Sequence, residues 1–306
     1  MKNFILDEFV KSGNTVFNSA ATLYHYTSVD VFRKILEDRE FWVSNANFMN
    51  DEQEIMNGIE LCRTVLKKKR GEYKGRYQAY FQSLLESCDR RTSSGVFNIH
   101  SENIFAMSFC SSGDILTQWQ EYANGGISIG FRNAPKQDSE RIMLKHADGT
   151  LTDMETVSVI YDDAEKERVL SEVIEIGIRL LDSNKNDNVK EVVMEMVSDA
   201  LYQFFPAMKN RSFVHERESR FIYCAENQNH QEIKFREKRG ILLPYVQLQI
   251  TDPEGNPHAQ LPIDDIVISP GPRINYVEKS VRYFLKESGY DYLQDKVRKS
   301  NIPYRV

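Results

Sequence analysis

The chain has 306 residues and a formal net charge of −6, from 39 Lys and Arg against 45 Asp and Glu. That length allows one large domain or two small ones and is enough to bury a core. Hydrophobic residues make up 41% and charged residues 27%, with seventeen Phe and fifteen Tyr; this composition argues against disorder, and the acidic balance argues against nucleic-acid binding through overall charge.

The N-terminus is too short and too acidic for a signal peptide, and no apolar run approaches the ~20 residues of a membrane helix. The cysteines at 62, 88, 110 and 224 are scattered, without a Cys-x-x-Cys pair, which fits a reduced cytoplasm better than a disulfide framework. A cytoplasmic protein is expected.

In chain order, residues 20–26 read as a short strand. Helix follows over 29–36, where Val29, Phe32 and Leu36 recur at the three-and-four spacing and Ser28 or Asp30 can cap. Residues 40–44 alternate as a strand, and two helices run over 51–69 and 73–91. Strand 103–110, a short helix 114–122 and strand 126–131 come next, interrupted at Asn124-Gly125-Gly126. A strand at 155–161 precedes helices at 163–182 and 189–205. Strands return at 219–225, 231–235, 240–250 and 264–269, before an amphipathic helix at 276–288. Strands clustered between helical blocks predict an α+β fold rather than regular βαβ winding. Pro253, Gly255 and Pro257 make a loop, not a linker. One domain over 1–306 is expected, with helical insertions at approximately 51–91 and 163–205 on a sheet core.

Two motifs carry chemistry. Leu23-Tyr24-His25-Tyr26-Thr27-Ser28 puts an imidazole where a strand hands over to a helix. A lone histidine there is more often structural; facing a cleft, it can donate to or accept from a ribose hydroxyl, and Thr27 can add a polar contact. Glu216-Arg217-Glu218 puts two carboxylates on one face if that segment is extended. Their repulsion calls for a cation or a ligand hydroxyl, and a solvated edge strand with Arg217 and Arg220 as partners is the plain alternative. Trp119 and Tyr122 lie three apart on the short helix, either as core or as the floor of a pocket for a flat heterocycle. The run Arg63, Lys67, Lys68, Lys69, Arg70, Lys74 and Arg76, with Tyr73, Tyr77 and Tyr80, reads as a solvated face or as a contact for nucleic acid. There is no Gly-x-Gly-x-x-Gly, Walker loop or Gly-x-Ser-x-Gly elbow, and no His-x-x-x-His among histidines 25, 100, 146, 215, 230 and 258; no metal site is expected.

These blocks, in this order, resemble a bacterial family, the domain of unknown function 2971. The likeness rests on residues 23–28, Phe48-Met49-Asn50-Asp51-Glu52, Phe105-Ala106-Met107-Ser108-Phe109, Trp119 to Ala123, Gly126 to Phe131, His215 to Phe221, Ile266 to Gly271 and Val297 to Pro303. Family members often carry a proline after Asn-Asp, where Glu52 stands here. More distantly, an early strand with His25 and a late strand-edge glutamate resemble the ADP-ribosyltransferase fold, a group that includes toxins and defence enzymes. That likeness implies a split mixed or antiparallel sheet and NAD as substrate. It implies His25, Tyr26 and Thr27 with Ser44 around the NAD ribose, Trp119 or Tyr122 stacked on nicotinamide, Glu218 as the catalytic carboxylate and Glu216 as its partner. It also wants an arginine for the pyrophosphate, with Arg33, Arg132 and Arg220 as candidates. The acceptor would be a protein or a nucleic acid, the latter meeting Lys67, Lys68, Lys69 and Arg70. A binding or sensor module for nucleotide or ADP-ribose, without turnover, is the competing reading, and a nucleic-acid-binding protein the third.

Overall fold

The periodicities above order a computed structural model that describes residues 4–11, 20–49, 54–93, 104–123, 125–134, 141–183, 187–225, 233–238 and 240–303. Its elements are α1 (Phe4–Lys11), β1 (Thr22–Thr27), α2 (Val29–Asp38), β2 (Glu40–Asn45), α3 (Glu54–Glu72), α4 (Gln78–Ser93), β3 (Ile104–Cys110), α5 (Leu116–Tyr122), β4 (Ile127–Arg132) and β5 (Met143–Lys145). The chain continues with β6 (Leu151–Asp153), β7 (Thr156–Ser158), α6 (Asp163–Ser183), α7 (Asp187–Phe204), β8 (Glu218–Cys224), β9 (Ile233–Lys238), β10 (Ile241–Thr251), β11 (Ile263–Ile268), α8 (Ile274–Glu287) and β12 (Val297–Lys299). The fold is α+β, as the clustering of strands predicts. The expected helix start at Asp51, the strand start at Asn103, Asn124 and residues 231–232 lie outside the described residues.

Among the described residues all strands belong to one 12-stranded sheet in the order β12-β11-β4-β1-β3-β2-β10-β5-β6, with β8 also on β3, β7 on β8 and β9 on β10. It is mixed and mostly antiparallel; β12 runs parallel to β11. On one face, α2 and α8 pack on the strands. Ser28 caps α2 by accepting the Val31 N–H at 3.2 Å, and Arg39 in the left-handed region ends it. Its buried side chains are Phe32, Ile35 and Leu36, whereas Val29, expected on that face, is exposed. Each buried side chain of this kind contributes about 1.5–3 kcal/mol.

The stretches expected as separate insertions form a shared layer. Helices α3, α4, α6 and α7, with α1, enclose one apolar cluster that includes Ile59, Leu66, Phe81, Val173 and Val197. The Tyr80 hydroxyl, inside it, donates to the Ile174 carbonyl at 2.8 Å. Ile104 and Ala106 of β3 join the same cluster, so this strand is packed against the helical layer and sits at the middle of the sheet.

The sheet divides at β3. Strand β8 covers one edge of it completely, from Ile104↔Cys224 to Cys110↔Glu218. The other edge is shared by two strands: β1 pairs at Cys110 through Tyr24, and β2 pairs at Phe105 and Ala106 through Asn45 and Ser44. Between these pairings Ser108 has no strand beside it on that second edge, and β1 and β2 part.

Gly126 closes the turn that brings β4 back along β1. A Cβ there would lie 2.1 Å from the Thr27 carbonyl oxygen, a backbone atom with no rotamer to move. Gly126→Ala should cost about 1–3 kcal/mol, the usual range for overpacking; an unchanged urea midpoint would show that the two backbones part freely. After β12, Ser300 donates its hydroxyl to Asp114 at 2.6 Å and Asn301 its N–H to the same carboxylate at 2.9 Å, tying the last described residues to the loop before α5. No helix among the described residues is long and apolar enough to cross a membrane.

Candidate functional site

A cavity of about 560 Å³ opens where β1 and β2 separate, within the roughly 300–1,000 Å³ of small-molecule sites. His25, Tyr26, Thr27, Ser44, Tyr122, Glu216 and Glu218 all line it, although the chain puts His25 and Glu218 far apart. Trp119 does not. It is 2% exposed, its ring packs edge-on against Tyr26 at 4.7 Å, and its indole N–H donates to Asp114 at 2.8 Å. The expectation that Trp119 and Tyr122 face the same way fails because α5 is short and wedged against β1; Trp119 turns into the core and Tyr122, 37% exposed, turns to the cavity. The Tyr26 hydroxyl is also committed, donating to the Ser112 carbonyl and accepting the Ile115 N–H, each at 2.9 Å.

His25 reaches across the split. Its Nδ1 lies 3.1 Å from the carbonyl oxygen of Ser108, on the open edge of β3. A carbonyl only accepts, so Nδ1 carries the proton and Nε2 holds a bare lone pair. Nε2 has no protein partner among the described residues. Burial lowers the His25 pKa to about 4; the Ser108 bond opposes this, and the charges of Arg236 and Lys238 add to it. The imidazole is neutral at pH 7 and available as an acceptor.

The two glutamates come together by a different route from strand alternation. Glu216 ends a 3₁₀ turn over Arg211–Glu216; Arg217 takes the left-handed conformation at φ 48°; Glu218 then opens β8. Between the carboxylates sits Lys209, buried, its ammonium 2.7 Å from Glu216 and 3.1 Å from Glu218. Arg220, two residues along β8 on the same face, holds Glu218 with both prongs of its guanidinium at 2.7 and 2.9 Å. The Ser108 hydroxyl donates to the same carboxylate at 2.5 Å, and the Glu218 N–H is taken by Tyr161 at 3.1 Å. The motif is therefore no solvated edge: β8 is paired on both sides, and Arg220 rather than Arg217 is the partner.

These contacts separate the two carboxyls. Burial pushes Glu218 up, but Arg220, Lys209 and Ser108 together outweigh it and hold the pKa down at about 2. Glu216 is raised: burial and the neighbouring Glu218 charge exceed what Lys209 returns. One of its oxygens meets Lys209, and the other takes no protein donor among the described residues. A carboxyl held as the anion beside one whose pKa is raised is the arrangement that divides electrostatic from proton-transfer roles. Ser108 sits at the centre, bonded by its carbonyl to His25 and by its hydroxyl to Glu218.

Of the arginines proposed for a pyrophosphate, Arg33 pairs with Asp30 and Glu37 on the surface, Arg132 with Asp264, and Arg220 with Glu218. The cavity holds another, Arg236 of β9, which donates to the Ser44 hydroxyl at 2.8 Å and lies over the rings of Trp42 and Tyr245 at 5.6 and 5.4 Å. Those rings stack on each other at 4.8 Å. Lys209 and Arg236 lie in none of the motifs read from the sequence, and Ser108 stands in the block Phe105–Phe109 without a role assigned to it. Ser108 alone left a trace, as the one polar position in the apolar strand Ile104–Cys110.

The basic run lies on the helical layer, outside the cavity. Lys68 pairs with Glu167, Lys69 with Glu72 and Glu175, and Arg70 bonds to Gln78 and Gln82. Tyr73 and Tyr77 donate to Glu175 and Asp182. Among the described residues no cluster of His, Cys, Asp and Glu is disposed to hold a metal ion.

Residues 118–221 match the family described as a protein of unknown function, DUF2971. The resemblance read from the motifs holds over that segment, which carries Tyr122, Lys209, both glutamates and Arg220. No curated protein and no solved structure matches the chain.

Proposed function

We propose that the cleft binds NAD and transfers its ADP-ribose to a protein or nucleic-acid acceptor, on a divided sheet of the ADP-ribosyltransferase kind. The observation that supports this is the meeting of His25, Ser44, Tyr122, Glu216 and Glu218 on one cavity. In this reading Tyr122 stacks on the flat nicotinamide ring, and Nε2 of His25 accepts a ribose hydroxyl. The bond from C1′ to nicotinamide breaks with its electron pair leaving on nicotinamide. The ribose is left oxocarbenium-like, and the fixed Glu218 anion stabilises that charge more than it does the ground state. A ribose hydroxyl takes the place of the Ser108 hydroxyl on Glu218. The acceptor nucleophile then bonds to C1′, and its proton passes to the Glu216 carboxylate, whose raised pKa and open oxygen suit that step.

The test is nicotinamide release from NAD, with cell lysate or nucleic acid as acceptor. Wild type should release nicotinamide, and Glu216→Gln should lower kcat by about 10²–10⁴-fold, the span of general acid–base contributions. Absence of release by the wild type across all acceptors would sink the transfer reading.

One observation favours a second reading, a nucleotide or ADP-ribose sensor without turnover. Glu218 already accepts from Arg220, Lys209 and Ser108, which fills the roughly four acceptor positions of a carboxylate. That module binds NAD or ADP-ribose, weakens on Tyr122→Ala and releases no nicotinamide.

A further inference from the structure

The cation Arg236 sits in the cavity wall with no carboxylate paired to it among the described residues. Its guanidinium bonds to Ser44 and lies over the faces of Trp42 and Tyr245, and its buried Nε has no hydrogen-bond partner among the described residues. Elsewhere in the same wall Lys209 and Arg220 face Glu216 and Glu218, Lys34 pairs with Asp30 behind it, and Glu40, Glu237 and Lys238 line it as well. Half-burying an unpaired cation is costly, and two ring faces return only about 0.5–2 kcal/mol each. The guanidinium is planar, always charged and built for bidentate contact with phosphate. A hydroxyl beside it and an aromatic floor beneath complete a recess whose chemistry suits an oxyanion.

We infer that Arg236, with Ser44 and the Trp42–Tyr245 stack, forms a phosphate-binding subsite of the cavity, taking the phosphate or diphosphate of the bound ligand. Burial holds Arg236 below the usual range for arginine, a strain that a bound anion would relieve. The field of Arg236 also reaches His25, so the two ends of the cavity are electrostatically joined. The subsite rests on the nucleotide reading only for the rest of the ligand; its own chemistry asks for an oxyanion.

Titration calorimetry with inorganic pyrophosphate, ADP-ribose and adenosine tests it, on wild type, Arg236→Gln and Arg236→Lys, each checked for an unchanged melting transition. Arg236 is only half-buried on an outer strand, so both variants should fold. Pyrophosphate and ADP-ribose should each bind at least tenfold more weakly to Arg236→Gln, adenosine should not change, and Arg236→Lys should recover part of the loss. Pyrophosphate binding that depends on Arg236 in a protein that ignores NAD would uphold the subsite and overturn the NAD reading. Equal pyrophosphate affinity in wild type and Arg236→Gln overturns the subsite, whatever NAD does; so does wild type binding adenosine as tightly as ADP-ribose.

Discussion

Arg220→Met should destabilise the protein by about 3–5 kcal/mol, the cost of breaking a buried ion pair from one side. Arg220 is 2% exposed, its guanidinium grips Glu218 with two bonds, and a third bond goes to the Pro206 carbonyl at 2.5 Å. Removing it leaves an anion in the core with Lys209 and Ser108 as its remaining donors, and a buried carbonyl without its N–H. The asymmetry of such pairs gives a control. Replacing both partners by apolar residues removes the stranded charge, so Arg220→Met/Glu218→Leu should recover most of the loss. Urea unfolding of the two single variants and the double variant measures this directly. A cost below about 1 kcal/mol for Arg220→Met would mean that water already reaches the pair. The same cycle separates stability from chemistry, because a folded double variant that binds ligand without turning it over assigns Glu218 to the reaction rather than to the scaffold.

The second large effect is acid sensitivity. His25 titrates at about 4 in the folded protein, against an ordinary value near 6.5. Between pH 4 and 6.5 the unfolded chain binds a proton there that the folded chain does not, so stability rises with pH across that window. The contribution is complete above about 6.5 and is lost as pH falls toward 4. The shift corresponds to roughly 2–3 kcal/mol once the partial access of the ring to the cavity is allowed for. Glu216 acts in the opposite sense. Its raised folded pKa makes the folded state hold the extra proton above the ordinary glutamate range, so its contribution is lost as pH rises. Glu218 adds to the acid loss at lower pH, between the ordinary glutamate value and about 2. The His25 part is isolated by difference: wild type minus His25→Asn, followed by urea midpoint from pH 4 to 7.5, should slope upward with pH over 4–6.5 and flatten above. A flat difference would place the imidazole in free contact with water.

What the residues disclosed on their own follows from periodicity. Long helices and alternating strands such as β2 and β4 carry enough repeats to be read. The elements α1, β5, β6 and β12 escaped, because three-residue strands have no period to detect and α1 is only eight residues long. The site was legible where a motif sat inside an element, as with His25 and the glutamate pair. Partners were not, because the pairing of Lys209 with Glu216 depends on the left-handed turn at Arg217 rather than on any spacing. Arg236 was hidden for another reason. In Ile233–Lys238 it recurs with Lys234 and Lys238, both exposed, and nothing in a run of cations tells which one is half-buried, although Lys238 also borders the cavity. The three arginines that did attract attention all satisfy a neighbouring carboxylate.

The position of β1 in the sheet sets a timetable. The strand that carries His25 leaves the ribosome before the other described strands, yet it lies between β3 and β4, whose residues come about a hundred positions later, and β2 waits for β10, about two hundred positions on. At the usual 5–20 residues per second, β1 and β2 remain without their neighbours for roughly five to forty seconds. The two strands that part at the cleft are thus made early and wait for their neighbours, β2 the longer, with Leu23, Phe41 and Val43 exposed in the interval. Any factor that holds nascent strands apart has its natural client there.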